Sequence, residues 1–216
     1  MKNKKLKFSK DEVFFSSDLH IGHNNIIKYC PARWQFLSEF ERNILENGSS
    51  NEAKIMRVDQ ESVDRMNEAI IDNINAVVDK SNALCMLGDV GWFKHRSQVV
   101  EFFDRINCKR IYLVVGNHDN LQLFPHNTFA GIYDQKVINV DGTFVQLNHY
   151  AMLRWDQSHR GSYHLFGHSH GTLNSFIAET LPTYRMLDVG VDSHNFKPWS
   201  FAEIEAYMNT KEGEKF

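Results

Sequence analysis

Short apolar runs punctuate the chain, and each closes on a polar, glycine- or histidine-bearing cluster. Residues 13–17 are β-compatible and lead into Asp18-Leu19-His20; 83–87 lead into Gly88-Asp89. Residues 111–115 lead into Gly116-Asn117-His118-Asp119, and 163–166 into Gly167-His168-Ser169-His170. Apolar runs this short, bounded by turn signals, predict buried strands. Between them the period lengthens. Met66, Ile70, Ile74 and Val77 recur at helical spacing and predict an amphipathic helix over 63–78. Val99, Val100, Phe102, Phe103 and Ile106 give 97–106 an apolar helical face. Segments 136–140 and 143–148 flank Asp141-Gly142, a strong hairpin signal. A further strand is expected over 184–189 and a closing helix over 201–208. Strands alternating with helices early, then hairpins, predict an α/β fold with mixed sheets.

Two stretches resist this pattern. Residues 33–60 fit no clear element and carry the loop marker Asn47-Gly48-Ser49-Ser50-Asn51, so they read as an insertion, partly helical over 36–45. The basic leader MKNKKLKFSK has no apolar segment behind it, which argues against a secretory signal and for a solvated leader before the first strand. The 216 residues suit a single domain, 42% hydrophobic with 16 Phe and 4 Trp to fill a core. No run of about 18 apolar residues is present, so no membrane partner is expected. Three scattered cysteines, Cys30, Cys85 and Cys108, fit a reducing cytoplasm, with Cys85 a core residue. A formal charge of −3 argues against a broad grip on nucleic acid.

Histidine changes the picture: there are 11, and many sit in the clusters after strands. In open α/β sheets ligands bind beyond the carboxyl ends of strands, so distant clusters can share one site. Residues i and i+2 on an extended strand face one side, so Asp18 with His20, and His168 with His170, can each aim two donors into one space. Imidazole, carboxylate and Asn amide donors, without thiolate, suit Mn²⁺, Fe or Zn²⁺ better than a structural zinc knot or a calcium cage.

The ordered set Asp18-x-His20, Gly88-Asp89, Gly116-Asn117-His118-Asp119, His149 and Gly167-His168-x-His170 resembles the calcineurin-like metallophosphoesterase superfamily. The likeness runs over about 13–192, with all five blocks intact. Gly22-His23-Asn24-Asn25-Ile26-Ile27, the run 66–71 and the run 189–198 look like a bacterial and phage subgroup of small phosphoesterases. The resemblance implies a four-layer αββα sandwich of two facing mixed sheets flanked by helices. It implies that Asp18, His20 and His170 hold one ion, that Asn117, His149 and His168 hold another, and that Asp89 bridges them. Two divalent transition-metal ions are the implied cofactors, Mn²⁺ first, with Fe, Zn²⁺ or Ni²⁺ as alternatives. Against a +4 pair, two carboxylates and a bridging hydroxide leave about +1 to attract a phosphate oxyanion. His118 is implied as the proton donor to the leaving group. Asp119 either orients it or stabilises the turn.

The implied activity is hydrolysis of a small, nucleotide-like phosphate ester, a phosphodiester in preference to a monoester. Serine/threonine phosphatases of the superfamily extend G-D to G-D-x-x-D-R-G, whereas this chain reads Gly88-Asp89-Val90-Gly91-Trp92-Phe93. That departure disfavours a protein phosphatase and leaves His118 without its expected partner. His23 and Asn24 are candidate substrate contacts, or alternatively a capped helix start with Asn24 as N-cap. Arg154, Trp155, His159, Arg160 and His164 either wall a pocket, Arg154 gripping phosphate and Trp155 stacking a base, or form a solvated loop. Asp192 reads as a turn residue or as support behind a ligand. Two rival functions are a nuclease on DNA or RNA, for which the insertion offers Arg33, Trp34, Arg42, Lys54 and Arg57 but also Glu39, Glu41, Glu46 and Glu52 and no clear basic track, and a non-catalytic scaffold. The sequence is silent on oligomeric state.

Overall fold

The computed structural model describes residues 6–211. In chain order these form β1 (Leu6–Phe8), β2 (Val13–Ser16), α1 (Asn24–Tyr29), α2 (Glu39–Asn47), α3 (Ser50–Ile55), α4 (Gln60–Val77) and β3 (Ala83–Met86). There follow α5 (Arg96–Arg105), β4 (Arg110–Val114), β5 (Gly131–Tyr133), β6 (Gln135–Val140), β7 (Thr143–Asn148) and β8 (Tyr163–Phe166). The chain closes with α6 (Asn174–Thr180), β9 (Met186–Asp188), β10 (Trp199–Ser200) and α7 (Phe201–Asn209).

The strands build two five-stranded mixed sheets, in the orders β1-β6-β7-β8-β9 and β10-β2-β3-β4-β5. Strand β3 shows why they stack. Ala83 and Cys85 join Val145, Leu147 and Leu165 of the other sheet in one core. Leu84 and Met86, on the opposite face, join Met66, Ile70 and Ile74 of α4 and Val99 and Phe102 of α5 in a second. Alternation along an unbroken apolar run therefore buries both faces. A third cluster, Trp155, Phe166, Ile177 and Met186, covers the outer face of the first sheet beneath α6. The architecture is the expected α/β sandwich of two facing mixed sheets flanked by helices.

Three expectations change. Leu6–Phe8 is not solvated leader but β1, paired in parallel with β6, with Phe8 buried; residues 1–5 lie outside the described residues. The strand expected over 184–189 shrinks to Met186–Asp188. Residues 33–60 are structured and docked. Ser38 caps α2 through a capping box with Glu41, whose buried carboxylate also accepts from Ser62 Oγ (2.6 Å) and Asp59 N–H (2.7 Å). Phe36, Leu37 and Val58 enter the helix-side core. No helix among the described residues is long and apolar enough to cross a membrane.

Candidate metal centre

The C-terminal ends of β2, β3, β4, β7, β8 and β9 open onto one edge of the sandwich, where backbone bonds stitch their loops. Asp18 N–H donates to Gly88 C=O (3.0 Å), His20 N–H to Asp89 C=O (3.0 Å), Gly167 N–H to His149 C=O (3.0 Å), and Val191 N–H to Ser17 C=O (3.1 Å). Side chains from both sheets thus meet. Asp18, His20 and His170 bring one donor atom each within 4.8 Å of one another, and so do Asp89, His149 and His168. Asn117 joins the second set, its Oδ1 3.0 Å from His149 Nε2. Asp89 Oδ2 stands between the sets, 3.6 Å from His20 Nε2 and 3.5 Å from His149 Nε2.

The pairs at i and i+2 do not converge by strand pleat, as expected, but by left-handed backbone. Asp18 (φ 57°), His20 (φ 52°), Asp89 (φ 53°), His168 (φ 66°) and His170 (φ 47°) all occupy a region that costs an L-residue about 1–2 kcal/mol. Strain concentrated on five of the seven candidate ligands points to function rather than to stability. Two glycines of the motifs serve close approach: a Cβ at Gly116 would collide with the Asp89 carboxylate, and one at Gly167 with Ser17 and Asp18.

The electrostatics fit cations. His20 Nε2 is buried without a hydrogen-bond partner, an orphan whose lone pair a metal would satisfy. Burial, then the charges of Arg33 and His170, hold the His20 pKa down near 2, so its ring is neutral and able to ligate. Burial lifts Asp18 to about 7, although nearby His170 and His149 pull it down. Burial would also raise Asp89, but the His149 imidazole beside it and a bond from the His118 backbone N–H bring it down to about 2. His149 Nδ1 is 2.7 Å from Leu87 C=O; donating there leaves Nε2 to the site. The oxygen and nitrogen donors suit Mn²⁺, Fe, Zn²⁺ or Ni²⁺.

Behind His170 lies a feature the sequence hid. Asp192 Oδ2 is 2.7 Å from His170 Nδ1, and Arg33 grips the same carboxylate through Nε (2.7 Å) and Nη2 (2.9 Å). Arg33 also donates to the carbonyls of Asp18 (2.7 Å) and Leu19 (3.1 Å), and is 0% exposed. Asp192 is therefore support for a ligand rather than a turn residue. Arg33 belongs to no nucleic-acid track. Cys30 lies close to His170 and Asp192 as well, but the Arg33 guanidinium on that carboxylate opposes a cation there.

Other expected residues are reassigned. Asp119 accepts the N–H groups of Val90 (2.9 Å), Asp89 (3.0 Å) and Gly116 (2.8 Å), so it staples the loops and does not orient His118. The residue beside His118 is Trp92, with ring centroids 5.1 Å apart. The N-cap position of α1 is 23, not 24, and its side chain makes no capping bond; His23 stacks on Trp92 at 4.5 Å instead. Asn24 opens the helix and is exposed, away from any contact that defines the centre. Trp155 is buried and donates to Ser162, and His164 is a core residue of β8, so neither walls a substrate pocket. Arg154 is exposed on the loop before them. Tyr150, unremarked in the sequence, packs on His168 at 4.7 Å and reaches Asn117 Oδ1 at 3.4 Å.

No protein-family model matches the chain. It is similar to the uncharacterized protein MJ1445 of Methanocaldococcus jannaschii, 23% identical over 194 residues that span 89% of this chain and 88% of that one. Among solved structures it resembles AQ665 from Aquifex aeolicus, a protein of unknown function, with a TM-score of 0.61 and 20% identity over 91% of this chain and 98% of that one. That likeness concerns the fold.

Proposed function

We propose that the protein is a dimetal hydrolase of phosphate esters, acting on phosphodiesters in preference to monoesters. The observation that carries this reading is Asp89 Oδ2, one carboxylate oxygen poised between two histidine-containing donor sets at 3.6 and 3.5 Å. Donors held about 2.1 Å from a common ion stand roughly 3.0–3.4 Å apart, so little movement is needed to close on metal. Divalent ions in the two sets would supply Lewis acidity and a water acidic enough to react near neutral pH.

The chain's own groups do the rest. His118 is exposed, lies outside both donor sets, and has its N–H fixed by Asp89 Oδ1 at 2.9 Å. Its ring is 5.6 Å from that of His20, close enough to the centre to deliver a proton to a departing oxygen. General acid catalysis of this kind contributes about 10²–10⁴-fold. Trp92, 44% exposed, and Tyr150, 48% exposed, flank the two donor sets, which suits a substrate with two organic arms. Burial of Arg33 weakens the nuclease alternative, and the intact donor sets weaken the scaffold alternative.

The test is turnover by protein stripped with chelator and reloaded with Mn²⁺, Zn²⁺, Ni²⁺ or Fe²⁺. Bis-p-nitrophenyl phosphate is expected to be cleaved only with metal, and faster than p-nitrophenyl phosphate. Faster cleavage of the monoester would reject the diester preference. Failure to bind two ions, or to cleave either ester with any of them, would reject the reading.

A further inference from the structure

Beside His118 a cavity of about 270 Å³ opens between two loops. Trp92, Phe93, Leu123 and Phe124 make its wall apolar, while His118 and Asn120 give it a polar edge. Trp92 occupies the position where the phosphatase pattern G-D-x-x-D carries its second Asp. An indole, not a carboxylate, therefore flanks the candidate proton donor. One of its faces rests on His23, nearly parallel at 15°, yet Trp92 remains 44% exposed. An isolated parallel bridge between Ile21 and Gly91, with Trp92 N–H donating to Ile21 C=O at 2.7 Å, fixes the loop that presents it. With Phe93, Leu123 and Phe124 it forms a continuous apolar lining with a few polar groups at the edge, the make-up of a small-molecule subsite.

We propose that this pocket is the subsite for the departing arm of the ester, and that it takes a planar aromatic group, a nucleobase or a phenol, against Trp92. The inference rests on the phosphoesterase reading and adds to it the chemical class of the leaving group. Hydrolysis adds water across one P–O bond. The attacking oxygen joins phosphorus, the bond to the departing arm breaks, and that arm's oxygen takes the proton held by His118. Because His118 is itself a wall of the cavity, an arm with its oxygen at His118 has its next atoms directed along Trp92. The volume lies just below the range of about 300–1,000 Å³ typical of drug-sized ligands, so it has room for one ring system. The amide of Asn120 offers an edge to hydrogen-bond a base or a ring substituent.

The experiment compares wild type, Trp92→Ala and Trp92→Phe, each loaded with Mn²⁺, on p-nitrophenyl methyl phosphate, trifluoroethyl methyl phosphate and a diadenosine dinucleotide. Leaving-group reactivity cancels when each substrate's kcat/KM is divided by the wild-type value. Stacking on an aromatic side chain is worth roughly five- to hundredfold on alanine substitution. We expect Trp92→Ala to lose at least fivefold more kcat/KM on the aryl ester than on the trifluoroethyl ester, and Trp92→Phe to retain most of the difference. A matching loss on the dinucleotide assigns a nucleobase; a loss confined to the aryl ester assigns a phenol. Binding of 4-fluorophenol to metal-free protein, followed by its ¹⁹F resonance, should weaken in Trp92→Ala. Equal losses on aryl and alkyl esters, with 4-fluorophenol binding unchanged, overturn the subsite while the phosphoesterase reading stands. No turnover of any ester by wild type overturns both.

Discussion

Arg33→Met removes a guanidinium that no solvent replaces. In the folded chain Arg33 makes two contacts with Asp192, one each with the carbonyls of Asp18 and Leu19, and one with Met66 Sδ at 3.2 Å. Its side chain is 0% exposed and that of Asp192 2%. Breaking a buried pair by removing one partner typically costs about 3–5 kcal/mol, because a desolvated charge is left behind. Here His170 still donates to Asp192, and its pKa, although lowered by burial, is carried up to about 10 by Asp192 and Cys30. The imidazolium keeps part of the compensation, so the lower end, about 3 kcal/mol, is expected. Against a typical total of about 5–15 kcal/mol, that is a large loss. Urea unfolding at pH 7 with chelator present reads it as a lower midpoint at unchanged slope. Combining Arg33→Met with Asp192→Asn should cost less than the sum of the two singles, with a coupling of about 1–3 kcal/mol. A loss under about 1 kcal/mol, or strict additivity, would refute the assignment of Arg33 as the buried clamp of this loop. Asp192→Asn has a second consequence. An Asn oxygen accepts from His170 only as a neutral, weaker partner, so one of two Mn²⁺ ions should bind about 10–100-fold more weakly by titration calorimetry, the other being unaffected.

Three further outcomes follow. Asp89→Ala should weaken both ions and abolish turnover, since the shared oxygen disappears; retention of one ion at native affinity would refute the bridging role. His118→Asn should keep both ions but slow turnover about 10²-fold or more, most for poor leaving groups, and loss of metal would mark it as a ligand instead. His164, wholly buried in β8, has its pKa lowered from 6.5 to about 4 by burial. Between those values the unfolded chain binds more protons, so stability rises with pH and is lost as pH falls from about 6.5 toward 4. The full effect is on the order of 3 kcal/mol. His164→Gln should flatten that stretch of the pH–stability curve, and an unchanged slope would contradict the attribution.

Much of the molecule was legible in the chain itself, for a physical reason. A strand buried on both faces must be an uninterrupted apolar run, and the residues that end it must be polar or glycine, because the backbone there leaves the sheet. Thus β2, β3 and β4 were visible as runs and β8 as a short one interrupted by His164, with Asp18, His20, Asp89, Asn117, His168 and His170 in the clusters behind them and His149 just past β7. The hairpin of β6 and β7 announced itself through Asp141-Gly142. Helices α2 and α3 were harder to see, because their boundaries depend on capping boxes at Ser38 and Ser49 rather than on a long apolar stripe. Strand β1, three residues long, is specified mainly by its partner β6.

The tertiary structure alone decided how those clusters face one another. Left-handed backbone at Asp18, His20, Asp89, His168 and His170 is tolerated more readily by Asp and His than by most side chains, but it is the loops bracing one another that hold all five there at once. Arg33 reads from the sequence as a candidate nucleic-acid contact on an insertion, and Asp192 as a turn residue or as support behind a ligand. They are 159 positions apart and meet in the interior. Trp92 looked like a missing aspartate and proved to be the exposed wall of a cavity. Local sequence encodes which face of an element is apolar and where the element stops. The partner a polar side chain finds once buried depends on which distant loop folds over it, and periodicity carries no record of that.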